Sequence, residues 1–116
     1  MRTAELTGIT LDWAVAKCEG TLHDDGSVSD YFQPSTDWEQ GGAIIERECI
    51  NIVKNESGKY WQAALEKWML NDGHPSIGET PLIAAMRCYV ESELGDDVEV
   101  PEELQGETAR PILIPH

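Results

Sequence analysis

Bases are scarce in this sequence of 116 residues: eight Lys and Arg stand against 22 Asp and Glu, for a formal net charge of −14. So acidic a surface repels phosphate backbones and anionic membranes. Direct nucleic-acid binding and membrane association are therefore not expected, and basic partners or cations suit it better. Two readings of the acidity stand side by side, simple solubility and mimicry of a polyanion such as DNA. Long apolar runs are missing too, and none approaches the ~18 residues of a membrane span. The opening Met1-Arg2-Thr3-Ala4-Glu5 is not followed by the apolar core of a signal peptide, so a cytoplasmic location is expected. Cysteine is limited to Cys18, Cys49 and Cys88. Their odd number and wide spacing argue against a disulfide framework or a C-x-x-C zinc site, and all three are expected to be buried as free thiols. No P-loop or G-x-G-x-x-G occurs. His23, His74 and His116 are not placed by motif beside a nucleophile. No cofactor and no metal are expected: His23-Asp24-Asp25 comes nearest to a ligand cluster, and a site needs three or four converging ligands.

What is present describes a folded chain. Hydrophobic residues make up 41% and there are four tryptophans, which fits one domain with a real core. That domain is expected over 1–104, with 105–116 as a C-terminal tail. A first helix is predicted at about 8–19. Thr7 caps it, Leu6 and Leu11 form a hydrophobic staple, and Gly20 ends it. Residues 20–34 are rich in turn formers, with Tyr31 and Phe32 expected to anchor the loop's end. Ile50–Asn55 and Lys59–Leu65 flank an Asn-Glu-Ser-Gly turn and predict a β-hairpin over 50–65, after which Asn71-Asp72-Gly73-His74-Pro75 breaks the chain. Thr80 as cap, Pro81 at the first helical position and Gly95 past the end bound a clear helix, on which Arg87 is expected to pair with Glu91. Trp13, Trp61 and Trp68 are expected in the core. From Asp96 onward the chain is acidic, and Pro111-Ile112-Leu113-Ile114-Pro115 is an apolar end boxed by prolines.

The densest run of signals is Pro34–Glu48. Thr36 followed by Glu39 reads as a capping box, so a helix is predicted from Thr36, with Trp38, Ile45 and Cys49 along its buried stripe. Gly41-Gly42 is costly inside a helix, about 1 kcal/mol per glycine against alanine; the pair implies a close approach by something else. Small hydroxyl residues at a helix start suit an anion such as phosphate, although Asp37 and Glu39 would repel one; Trp38 could stack on a base or ring, and Arg47 or Arg87 could complete the charge. The candidate ligand-binding set is therefore Ser35, Thr36, Asp37, Trp38, Gly41, Gly42, Arg47 and Arg87, with no catalytic residue assigned. The fold class is α+β, about three helices on a small antiparallel sheet in a two- or three-layer sandwich. A hairpin alone is marginal, so a third strand from residues 2–6, from the tail or from a partner subunit in a homodimer is expected.

Several strings resemble a family of tailed-phage and prophage proteins that includes the NinX-type lambdoid proteins. They are Pro34-Ser35-Thr36-Asp37-Trp38 with Gly41-Gly42 and Ile44-Ile45-Glu46-Arg47; Leu6-Thr7-Gly8 with Leu11-Asp12-Trp13-Ala14-Val15-Ala16; Thr80-Pro81-Leu82-Ile83-Ala84-Ala85-Met86-Arg87; and Leu94-Gly95-Asp96 with Val98 and Val100-Pro101. The resemblance covers residues 3–104, departing at the hairpin and at Asn71–Gly78. It implies a phage accessory protein of the bacterial cytoplasm and brings no activity with it. Three functions remain open: a non-enzymatic binding protein for a host protein or small ligand, an acidic DNA mimic acting on a host DNA-binding protein, and a small hydrolase using Asp37.

Overall fold

The computed structural model describes residues 1–65 and 75–109. After a short 3-10 turn at Thr3–Glu5 come helices α1 (Gly8–Glu19) and α2 (Trp38–Glu48), strands β1 (Ile50–Lys54), β2 (Trp61–Leu65) and β3 (Ser76–Gly78), and helices α3 (Pro81–Leu94) and α4 (Glu102–Ala109). The fold is α+β, as expected. Trp68, His74, His116 and the Pro111–Pro115 segment lie outside the described residues.

The local signals act where the sequence places them. Thr10 Oγ1 accepts the Thr7 N–H at 3.1 Å and donates to the Thr7 carbonyl at 2.7 Å, closing the first turn of α1. Leu6 and Leu11 are both fully buried in one cluster. Gly20 ends α1 with a left-handed φ of 74°. In α3, Thr80 Oγ1 accepts the Ile83 N–H at 3.1 Å, and Pro81 is the first helical residue.

The sheet is antiparallel with order β1-β2-β3. Its hairpin turn is held by Asn55 Oδ1, which accepts from the Ser57 N–H and hydroxyl at 2.9 and 2.7 Å. Among the described residues the third strand comes from Ser76–Gly78 and not from residues 2–6, where Arg2 makes an isolated bridge with Asp97. Pairing explains this. Ala63 faces Ser76 and Trp61 faces Gly78, and at Gly78 a Cβ would stand 2.4 Å from the Ala84 N, so the glycine lets β3 lie flush on α3.

α3 is the centre of the molecule. It packs across all three strands on one side and against α1 and α2 on the other. Leu82, Ala84, Ala85, Met86, Cys88, Tyr89 and Val90 are buried along it. The layers run sheet, α3, then α1 with α2, and α4 packs on α1. α4 runs across the expected boundary between residues 104 and 105.

Other expectations are corrected. The cap of α2 is Asp37, whose Oδ1 accepts the Glu39 N–H at 2.9 Å; the carboxylate outcompetes the Thr36 hydroxyl one residue upstream. Trp38 begins the helix on its outer face and is 56% exposed, while Gly41 and Ile44 form the buried stripe. Cys49 is exposed because the chain leaves α2 for β1 there through a left-handed residue, φ 56°. Tyr31 anchors its loop by its carbonyl, which accepts from Gln40 Nε2 at 3.0 Å, and not by its 88% exposed ring. Arg87 bonds main-chain carbonyls, and Glu91 instead accepts from Ser76 Oγ at 3.1 Å.

Candidate functional site

α1 carries a charged residue in the middle of its buried face. Leu11, Trp13, Ala14, Val15 and Ala16 are buried around Asp12, itself 7% exposed, and Asp12 is the only charged side chain among the described residues to be so buried. Among those residues no basic side chain forms an ion pair with it. Its Oδ1 accepts the Ser35 N–H at 2.9 Å. Burial pushes the Asp12 carboxyl above its ordinary value, and Ser35 only partly offsets that. The Ser35 hydroxyl is near enough to help hold the Asp12 charge, yet the 2% exposed residue leaves Oγ without a well-formed hydrogen bond. A buried polar atom left unsatisfied costs about 1–3 kcal/mol.

Asp12 and Ser35 line a cleft of about 380 Å³ between the start of α1 and the following loop. The exposed Gly8 and Ile9 flank it on the helix side, and half-buried Val28 and Phe32 on the loop side. Ser29, Asp30, Gln33 and Thr36 complete it. No Lys, Arg or His is among these residues, so Asp12 and Asp30 set its charge. The loop is held in place by Trp13 Nε1, which donates to the Gly26 carbonyl at 2.9 Å, and by Gln40 Oε1, which accepts the Gln33 N–H at 3.0 Å.

The structure brings together only part of the set read from the sequence. Ser35 and Thr36 line the cleft; Asp37 and Trp38 start α2 beside it without lining it. Both Asp37 oxygens are occupied, Oδ2 by Gln40 Nε2 at 2.9 Å. Gly41 is required by the fold, since a Cβ there would meet the Pro34 carbonyl oxygen at 2.4 Å and Leu82 Cδ2 at 2.6 Å. At Gly42 the nearest atom would be Trp38 Cε3 at 3.9 Å.

Arg47 stands at the far end of α2 and serves as a clamp. Nη1 and Nη2 grip Glu19 at 3.0 and 2.6 Å, Nε reaches Glu48 at 2.8 Å, and Nη2 reaches the Tyr89 hydroxyl at 3.2 Å. Tyr89 Oη donates to the same Glu19 carboxylate. The bonds from Arg47 hold Glu19 below the usual carboxylate range, and burial, helped by the bond to Glu19, pushes the Tyr89 hydroxyl up. Arg87 is likewise structural: Nε donates to the Leu6 carbonyl at 2.8 Å and Nη1 to the Ile77 carbonyl at 2.7 Å. It lines a separate cavity of about 240 Å³ with Arg2, Ser76 and Glu91.

The residue that sequence reading passed over is Asp12. Its signal was an acid inside Leu11–Ala16, an otherwise apolar stretch. Burial pushes the Cys18 and Cys88 thiols up to about 12, which keeps them protonated and unreactive. Among the described residues no group of His, Cys, Asp and Glu could hold a metal ion, and no helix is long and apolar enough to cross a membrane.

No curated protein matches the chain. A family model described as Bacteriophage P22, NinX matches residues 2–93, a span that contains α1 to β3, all but the last residue of α3, and every residue of the cleft. The chain belongs to this bacteriophage NinX family.

Proposed function

We propose that this protein is a phage accessory factor of the host cytoplasm that acts by binding, not by catalysis, and that it recognises a small ligand or a host-protein side chain in the cleft at the start of α1. One observation carries the reading: a buried carboxylate that has no cationic partner among the described residues lines an open cleft, next to a buried hydroxyl without a well-formed hydrogen bond. A buried polar group left without a full set of partners is costly to the fold and calls for an explanation, of which a bound ligand is one. The commitment of both Asp37 oxygens to the α2 cap and Gln40 weighs against a hydrolase built on Asp37.

The test is a thermal-shift screen of cationic, neutral and anionic small molecules on the wild-type protein and on Thr36→Trp. Thr36 is exposed and lines the cleft, so the indole obstructs the opening without entering the core. At least one chemical class is expected to stabilise the wild type and not the variant. A panel that fails to discriminate the two proteins overturns the reading.

A second reading rests on Asp96, Asp97, Glu99, Glu102 and Glu103, all exposed around the start of α4. This acidic surface could imitate DNA for a host DNA-binding protein. Capture of such a protein that persists after all five acids are neutralised would remove that alternative.

A further inference from the structure

Resting on the binding role of the α1 cleft, we infer that its occupant is a protonated primary amine or a guanidinium, with Asp12 as its counter-ion. The argument is one of charge and valence. Asp12 and Asp30 are the ionisable groups that line the cleft, and no base does. The start of α1 contributes about half a positive charge through its dipole, less than two carboxylates supply. The cleft is therefore negative, and an anion is the wrong guest despite the nearby helix start. Asp12 Oδ1 already accepts from the Ser35 backbone, but a carboxylate has about four acceptor positions. An ammonium brings three donors and a guanidinium five, enough to fill the remaining acceptor positions of the Asp12 carboxylate. Phe32 and Val28 provide an apolar wall for the alkyl stem, and an aromatic ring tolerates a cation near its face. At about 380 Å³ the space suits a group the size of a lysine or arginine side chain.

The chemistry is the same whether the cation is a free small molecule or a side chain of another protein. Calorimetry on the full chain separates these sources. The probes are n-butylammonium, methylguanidinium, n-butanol and butyrate, with Nα-acetyl-lysine and Nα-acetyl-arginine methylamides as side-chain mimics. At least one of the two simple cations is expected to bind about 10-fold or more tighter than n-butanol, the gain of one charge-assisted hydrogen bond. Asp12→Asn is expected to weaken that cation by about 10–100-fold. Its amide oxygen can still accept the Ser35 N–H, so the fold keeps that bond. The distant Asp97→Asn is expected to change nothing. Mimics that bind as tightly as the simple cations assign the site to a protein side chain; mimics that are excluded assign it to a free cation. Equal binding of n-butylammonium and n-butanol overturns the inference, as does an Asp12→Asn protein with unchanged cation affinity. A neutral or anionic compound that binds the wild type and is blocked in Thr36→Trp also overturns it while leaving the cleft as the binding site. Failure of every probe and every screened compound to distinguish wild type from Thr36→Trp removes both.

Discussion

Replacing Gly41 by alanine places a methyl group where the fold has left no room. The new carbon would sit 2.4 Å from the Pro34 carbonyl oxygen and 2.6 Å from Leu82 Cδ2. Leu82 is 3% exposed and cannot swing aside, and the Pro34 oxygen belongs to the backbone that presents the Ser35 N–H to Asp12. Overpacking costs about 1–3 kcal/mol, and a clash against backbone falls in the upper part of that range, about 2–3 kcal/mol, against which alanine returns about 1 kcal/mol of helix propensity. Gly41→Ala should therefore be destabilised by about 1–2 kcal/mol. Its neighbour is the control. A Cβ on Gly42 meets only Trp38 Cε3 at 3.9 Å, so Gly42→Ala should gain about 0.5–1 kcal/mol. At roughly 4 °C per kcal/mol for a domain near this size, the two alanine variants should melt roughly 6–12 °C apart in paired thermal and urea denaturation. A Gly41→Ala protein at least as stable as wild type would refute the close approach of α2 to Pro34 and Leu82.

Further perturbations test the polar groups. Ser35→Ala removes a buried hydroxyl without a well-formed hydrogen bond, so the ligand-free variant should match or exceed wild-type stability by up to about 1 kcal/mol in urea melts; a clear loss of stability would mean that the hydroxyl is bonded. The Asp12 carboxyl is raised in the folded state, so its contribution is complete below its ordinary 3.8 and is lost as pH rises through the folded value. Asp12→Asn should therefore gain on wild type as pH climbs from there towards neutrality, measured by urea midpoints. Glu19 is lowered, and the sign reverses: its contribution is present above its ordinary 4.5 and is lost as pH falls. Arg47→Ala should cost about 1 kcal/mol, given its half-exposed setting, and the difference from wild type should close in acid and shrink in high salt.

Helices α1 and α3 were legible because their ends carry strong local chemistry. Thr7 with Gly20, and Thr80-Pro81 with Gly95, act through bonds between close neighbours, and residue type alone forecasts such bonds. The hairpin was readable for the same reason, since Asn55 and Ser57 make its turn by themselves. What escaped depends on contacts distant in sequence. β3 is a three-residue strand whose existence rests on pairing with Ala63 and on the fit of Gly78 against Ala84. Arg47 resembles a free ligand-binding base until α1 brings Glu19 to it from 28 residues away. Arg87 likewise finds the Leu6 carbonyl 81 residues away. Within the candidate site, Ser35 and Thr36 were readable from their helix-start setting, whereas the role of Asp12 appears only when the loop folds back and offers it the Ser35 N–H. An acid inside an apolar helical stretch was the one sequence signal that pointed there.

The most direct test of the cleft and its occupant is an amide NMR titration of the wild-type protein with n-butylammonium chloride at constant ionic strength. The Ser35 N–H is the reporter because it bonds directly to Asp12 Oδ1. Saturable shifts are expected at Ser35 and at Gly8 and Ile9 beside it, with the Arg47 amide unmoved. Linear, non-saturating shifts spread over Asp96, Asp97 and Glu99 would contradict the account, since they would mean that the cation merely collects on an acidic surface.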